Sequence, residues 1–477
     1  MNIFFTGATG FIGRATVAYL QGEGHSVKAL VRHTTKARDL LGQGVELFPH
    51  NISLEQLSNV LGNCDAVVNL AGNPIATRWT KRKKASFRAS RVNTTKNIIE
   101  AIEKCGTPPK VFISASAVGY YGNRDSEVLT EESQKGEGFL SELCEEWENT
   151  ALQAQQNGTR VCTLRTGIVL GREGGILQAL APLFEMNLGS YIGSKHYVPW
   201  IHITDMVEII GRCINDDSLQ GPINCTSPFP VTNKEFASAL KHATNSRLLI
   251  KVPSFIVRPF LGEASAMLTS SQNALPKRLE TNQFEFRFPQ LANALAAEFT
   301  HENVTIENYQ RDHNDTDTLE AKFGVAKRGQ YQLTTQVLLR QDSKKIFEFF
   351  SSPLNLGLLT PTWVDFRILD RPDKIESGSY IQYRIGLWFL GFKWLSQIIR
   401  WEPNNIFIDM QEKGPYRFWW HEHSLIGNND GSIIMQDRVI YRMPFGAIGR
   451  LMHKLFVRKT LLRIFNFRRQ IIQLRFS

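Results

Sequence analysis

Over its first 170 residues the chain alternates short apolar runs with longer polar stretches. The apolar runs are NIFFTG, SVKALV, VELFPH, AVVNLAG, KVFISAS and VCTLRTGIVLG. Between several of them, at 15–21, 94–104 and 139–155, apolar positions recur at helical spacing. Strand, helix, strand repeated in this way predicts a parallel sheet covered on both faces. From 171 to 297 the pattern is less regular and is marked by Gly and Pro loops. Residues 300–322 are polar and aperiodic, which predicts a linker at 298–329. Beyond it YQLTTQVLLR alternates as a strand does, and DSKKIFEFFSS reads as a capped helix start. Strands are expected at 380–387, 394–401, 406–411 and 432–441, before a closing basic helix. The fold class is α/β, a doubly wound parallel sheet over 1–297, followed by a second α+β domain over 330–477.

Composition adds limits. Hydrophobic residues make up 42% of 477, enough for sizeable cores. No apolar run reaches the roughly 18 residues of a membrane span. The N-terminal MNIFFTGATG enters a strand and turn directly, with no signal-peptide pattern, so a cytoplasmic location is expected. The six cysteines, at 64, 105, 144, 162, 213 and 225, show no C-x-x-C spacing. Buried thiols are expected in place of a zinc or disulfide framework. The formal charge of +10 is uneven: residues 330–477 hold 21 Lys and Arg against 12 Asp and Glu. Residues 448–477 carry eight cations and no acid. Their apolar positions form no single stripe, so a solvated helix face is expected, with no specific nucleic-acid partner.

The first chemistry is a turn. FFTGATGFIGRA sets Gly7, Gly10 and Gly13 between an apolar strand and a helix. Glycines there let backbone approach a pyrophosphate, which the helix N-terminus then attracts. The second strand ends at Arg32, where an NAD site usually carries an acid for the ribose 2′-hydroxyl. A guanidinium suits a 2′-phosphate, so NADP is expected over NAD.

TGATGFIG, VVNLAG and FISASAVGYYG together resemble the extended branch of the short-chain dehydrogenase/reductases, the nucleoside-diphosphate-sugar-epimerase-like enzymes. LRTGIVLG, WIHITDMV, PVTNKEFASAL and LPKRLETNQFEFRFPQLANAL narrow the resemblance to its atypical YfcH-like subgroup. That subgroup ends in a DUF1731-type segment, here 247–296. The resemblance implies that Thr9, Phe11 and Ile12 line the pyrophosphate with the three glycines, and that Ala71 and Gly72 run under the cofactor. It sets Asn51 near the adenine, where an aspartate is usual. Residues 331–477 resemble START-like or polyketide-cyclase-like (SRPBCC) domains through LTPTWVDFRIL, GPYRFWWHEHSL and QDRVIYRMPFGAIG. This implies a helix-grip fold around a cavity for a hydrophobic ligand.

The resemblance also exposes a gap. Ser116 fits the superfamily's catalytic serine. The following helix should bring Tyr-x-x-x-Lys, whose tyrosine moves a proton. Here that helix reads GEGFLSELCEEWENTALQ, with Phe139 and Leu143 at one placement of the pair. After Tyr121 the next tyrosine is Tyr191, and Lys135 is the only lysine between Gly122 and Arg160. Tyr121 and Tyr120 are then the nearest phenols, with Ser116 and Tyr121 the candidate catalytic residues. His202 and Asp205, in WIHITD, are further candidates with a structural reading favoured. Two functions follow: an NADP-dependent epimerase or oxidoreductase on a small, in one version apolar, substrate; or a cofactor-responsive binding protein.

The second domain is rich in aromatics: Trp363, Phe366, Trp388, Phe389, Phe392, Trp394, Trp401, Phe418, Trp419 and Trp420. Core packing is the better reading for any one of them. His421 and His423 form H-x-H on a strand and would face one side. With no third ligand evident, no metal site is expected.

Overall fold

The computed structural model describes residues 1–193, 196–300, 303–310, 319–372, 374–387 and 390–476. It divides into two compact units, residues 1–34 with 44–300 and residues 35–43 with 301–477.

The first unit is built on seven strands: β1 (Asn2–Thr6), β2 (Ser26–Val31), β3 (Val45–Pro49), β4 (Ala66–Asn69), β5 (Val111–Ala117), β6 (Arg160–Thr166) and β7 (Gly221–Cys225). Their order is β7-β6-β5-β4-β1-β2-β3, and every pairing is parallel. The central strands are continuous apolar runs because helices cover both faces. Ile3, Phe4, Phe5, Ala66, Val67 and Val68 are all fully buried. The chain starts mid-sheet and winds outward in both directions. The reversal falls between β1 and β4, so the crevice that binds ligands in such sheets lies at their C-terminal ends. Four helices matter below: α1 (Phe11–Gly22), α2 (Phe139–Leu152), α3 (Ile203–Asn215) and α4 (Leu291–Phe299). The last packs into a satellite core with Phe184, Trp200, Phe236 and Leu240.

The second unit is an eight-stranded antiparallel sheet of β8 (Val304–Asn308), β9 (Tyr331–Leu339), β10 (Val364–Asp370), β11 (Tyr380–Leu387), β12 (Leu390–Glu402), β13 (Ile406–Lys413), β14 (Phe418–Gly427) and β15 (Ile433–Arg442). The order is β8-β9-β15-β14-β13-β12-β11-β10. One face buries Trp394, Trp419, Val439 and Tyr441 against Leu461, Leu462 and Phe465 of the C-terminal helix α5 (Arg458–Phe476). The opposite face buries Ile408, Phe418, Trp420 and Ile440 with Val325. Trp388 and Phe389 lie outside the described residues.

Three expectations change. The range read as a linker carries β8, whose Val304 and Ile306 supply an alternation too short to register against polar neighbours. Val325, from the same range, covers the sheet's second face. Residues 35–43, expected in the first domain, pack in the second unit, where Asn355 Oδ1 accepts the Gln43 amide at 2.9 Å. The basic end is only partly a solvated face. Arg463 sits over Trp363 at 4.4 Å and Arg475 over Phe349 at 4.5 Å. Arg468 is 8% exposed and faces Asp437. Cations stacked on aromatics explain why the helix shows no single apolar stripe. No helix among the described residues is long and apolar enough to cross a membrane.

Candidate functional site

At the end of β1 the three glycines do different work. Gly7 has φ +75°, and a Cβ on it would lie 2.6 Å from the Leu70 carbonyl. A Cβ on Gly13 would lie 2.2 Å from Gly7 O, so this glycine lets α1 close onto the turn. A Cβ on Gly10 would meet only Gly7 O, at 3.2 Å. Gly10 therefore faces open space at the N-terminus of α1. It caps that helix without any side-chain hydrogen bond, so the first-turn N–H groups remain available to an anion. The donor set fits a pyrophosphate.

Thr9 and Ile12 are half-buried beside that opening. The Phe11 ring turns away from it. Cβ atoms on Gly171 and Gly174 would come within 2.5 and 2.3 Å of that ring. The glycines of LGREGG thus make room for Phe11, which wedges the phosphate turn against the next loop.

Arg32 stands exposed at the end of β2, and Asn51 is exposed just beyond β3. Ala71 and Gly72 follow β4. Under Gly72 lies Arg91, which the sequence reading did not single out: a Cβ on Gly72 would be 3.0 Å from its Cζ. Arg91 Nη1 donates to Asn73 O at 3.1 Å. Its only sequence signal is a cation following a helical turn, which is too common to mark a site.

The β5 end is closed. Ser116, 4% exposed, donates its hydroxyl to Glu148 Oε1 at 2.6 Å. Arg165 of β6 takes the same carboxylate through Nε and Nη2, at 3.0 and 2.9 Å. Tyr121 is fully buried, and its oxygen sits 2.7 Å from Asn224 Oδ1, 2.9 Å from Thr130 O and 3.0 Å from Arg165 Nη1. Burial pushes its pKa up to about 12, against the pull of Arg165. Tyr121 is thus an enclosed phenol whose ionisation burial opposes. Tyr120 lies under the Arg165 guanidinium at 3.6 Å. Phe139 and Leu143, at one placement of the usual pair, are packing residues. Phe139 meets Trp79 edge-on at 5.4 Å, and Leu143 is buried with Phe87, Val92 and Trp147.

His202 and Asp205 are also structural. His202 Nδ1 caps α3 by accepting the Thr204 amide at 3.2 Å, and Nε2 sits 3.0 Å from Glu298 Oε1. Asp205 accepts the amides of Arg287 and Phe288 at 2.7 and 3.1 Å. Together they tie the 287–298 segment to the start of α3. A cleft of about 640 Å³ lined by Glu131, Gly221, Arg278 and Asn282 lies at the N-terminal end of β7, the end away from the phosphate turn.

Residues 3–225 match the NAD dependent epimerase/dehydratase family, and residues 252–298 match a domain of unknown function, DUF1731. The chain is 36% identical over 302 residues to the chloroplastic epimerase family protein SDR39U1 homolog of Arabidopsis thaliana, spanning 62% of this chain and 86% of that one. It is 33% identical over 298 residues to the epimerase family protein YfhF of Bacillus subtilis, spanning 62% and 97%. Among solved structures, human epimerase family protein SDR39U1 (isoform 2) with NADPH superposes with a TM-score of 0.57 at 32% identity, covering 62% of this chain and 99% of that one.

Proposed function

Because the chain belongs to the NAD dependent epimerase/dehydratase family, we propose that its first unit binds NADP(H) and acts on a small-molecule substrate. The carrying observation is the uncapped α1 N-terminus with Gly10 open before it. In this reading the amides of residues 11–13 hold the pyrophosphate, and Arg32 pairs with the 2′-phosphate. Asn51 hydrogen-bonds the adenine edge, and the backbone of Ala71 and Gly72 runs beneath. The human relative crystallised with NADPH supports the choice of NADP(H). The bound nicotinamide supplies hydride exchange. The chain supplies binding and orientation, with proton transfer left to groups other than Tyr121. Calorimetric titration with NADPH, NADP⁺, NADH and NAD⁺, beside Arg32→Ala, tests the site. Binding of none of the four overturns it.

A second reading, a binding protein that responds to cofactor without turnover, is favoured by the Ser116 hydroxyl being committed to Glu148. A substrate-dependent change in NADPH absorbance separates the two. For the second unit we propose a START-like role with a hydrophobic small molecule as ligand. Its antiparallel sheet against a C-terminal helix, faced with Tyr383, Trp394, Tyr416 and Trp419, supports that role.

A further inference from the structure

On the helix-facing side of the second sheet, four polar side chains meet among aromatics. Asp409 pairs in register with His421 across β13 and β14, and His423 pairs with Asp437 across β14 and β15. Alternation along a strand then sets 421 and 423 on one face, beside 409 and 437. His421 and His423 are each 6% exposed and Asp437 3%. We propose that Asp409, His421 and His423 bind a first-row divalent cation such as Zn²⁺ or Fe²⁺, with Asp437 as the group that orients the His423 imidazole.

The distances carry this. Asp409 Oδ1 is 3.6 Å from His421 Nδ1 and 3.6 Å from His423 Nε2. Those separations are too long for hydrogen bonds. Donors that each reach one ion at about 2.0–2.2 Å stand about 3–3.6 Å apart, so the spacing suits a shared ion. The three ligand atoms all lie within 4.8 Å of one another. The far nitrogens face Asp437 instead. His423 Nδ1 is 2.5 Å from its Oδ1, and His421 Nε2 is 3.5 Å away. A bond from His423 Nδ1–H to Asp437 leaves the Nε2 lone pair directed to the Asp409 side. Arg468 Nε stands 3.3 Å from Asp437 Oδ2, and Ser396 Oγ donates to Asp409 Oδ2 at 3.1 Å. His421 Nε2 is buried without a hydrogen-bond partner.

Charge agrees with geometry. Two carboxylates and one guanidinium leave one net negative charge among buried groups, a balance that asks for a cation. Two imidazoles and a carboxylate suit zinc, iron or cobalt better than magnesium or calcium. Phe407 stacks on His423 at 4.1 Å and Phe465 meets His421 at 5.6 Å, so the ion would sit within an apolar wall.

The test is titration of chelator-treated full-length protein with Co²⁺, read by visible absorption. One Co²⁺ per chain, displaced by Zn²⁺ and abolished in His421→Ala and in His423→Ala, is the expected result. Asp437→Asn should weaken it by about 10–100-fold, as loss of an orienting carboxylate does. Near-UV circular dichroism of each variant reports whether the aromatic face is intact. Absence of saturable binding by the wild-type chain overturns the proposal without recourse to any variant. Binding that survives both histidine substitutions overturns it as well.

Discussion

Arg165 and Glu148 form a two-point ion pair with only 5% and 7% of their side chains exposed. The pair lies between β6 and α2, and Ser116 donates into it. Breaking a buried pair from one side strands the other charge. Glu148→Ala should therefore cost about 3–5 kcal/mol in urea unfolding. The double variant Glu148→Leu, Arg165→Met leaves no buried charge unpaired and should lose less than either single charge deletion. Equal losses in single and double variants would show that packing, not charge pairing, holds this region.

Tyr121→Phe removes one oxygen and leaves Arg165 Nη1 and Asn224 each short of a partner. A loss of about 1–3 kcal/mol in stability is expected, with NADPH affinity unchanged. Once a substrate is found, turnover should also persist, because the hydroxyl is fully buried and held against Asn224, Thr130 and Arg165. A well-folded variant that binds cofactor and does not turn over would return this phenol to the chemistry.

The parts of the fold legible in the sequence were those fixed by local pattern. Apolar runs marked the parallel strands, and Gly7, Gly10 and Gly13 marked the turn, because a βα phosphate loop is specified within about a dozen residues. The Ser116–Glu148–Arg165–Tyr121 network was not legible. Its members come from a strand, a helix, a neighbouring strand and a turn, and a buried Tyr reads like any other Tyr. Asp409 was missed as a partner for His421 for the same reason: only sheet register brings them together. The first half of β14 is buried on both faces, so FWWHEHSLIG lacks the alternation that marks a half-exposed strand. The H-x-H spacing was visible, its carboxylates were not.

The glycine geometry separates folding from binding. Gly10→Ala meets only Gly7 O, at 3.2 Å, at φ −75°, a conformation any residue adopts. The fold should persist while the methyl group intrudes where the pyrophosphate would lie, and NADPH binding should fall at least tenfold. Gly13→Ala drives a methyl to 2.2 Å from Gly7 O and should destabilise the unit itself. Thermal melts with and without NADPH distinguish the two. Equal melting loss in both would mean the Gly10 face is packed, not open.

Arg32→Ala should discriminate between cofactors. A charge-assisted bond to a 2′-phosphate contributes about 1.5–3 kcal/mol, or roughly 10–150-fold in affinity. NADPH binding should weaken by that factor while NADH binding changes little. A parallel fall for both cofactors would place Arg32 against the shared pyrophosphate instead.

Glu298 gives a pH signature. Burial raises its pKa, but the bond to His202 and the Arg172 amide, which donates at 2.6 Å, outweigh burial and leave it below its ordinary 4.5. A carboxyl depressed in the folded state stabilises above its unfolded value and loses that contribution as pH falls through the folded one. Wild type should therefore exceed Glu298→Gln in stability by the most near neutrality, and the gap should close below about pH 4.5. Asp205 has the opposite sign: burial raises its pKa above 3.8, so its contribution is whole at low pH and declines as pH rises through the raised value. Asp205 is common to both proteins, so the difference between wild type and Glu298→Gln across a series of urea melts isolates Glu298. A gap independent of pH would mean that the His202–Glu298 contact acts through shape alone.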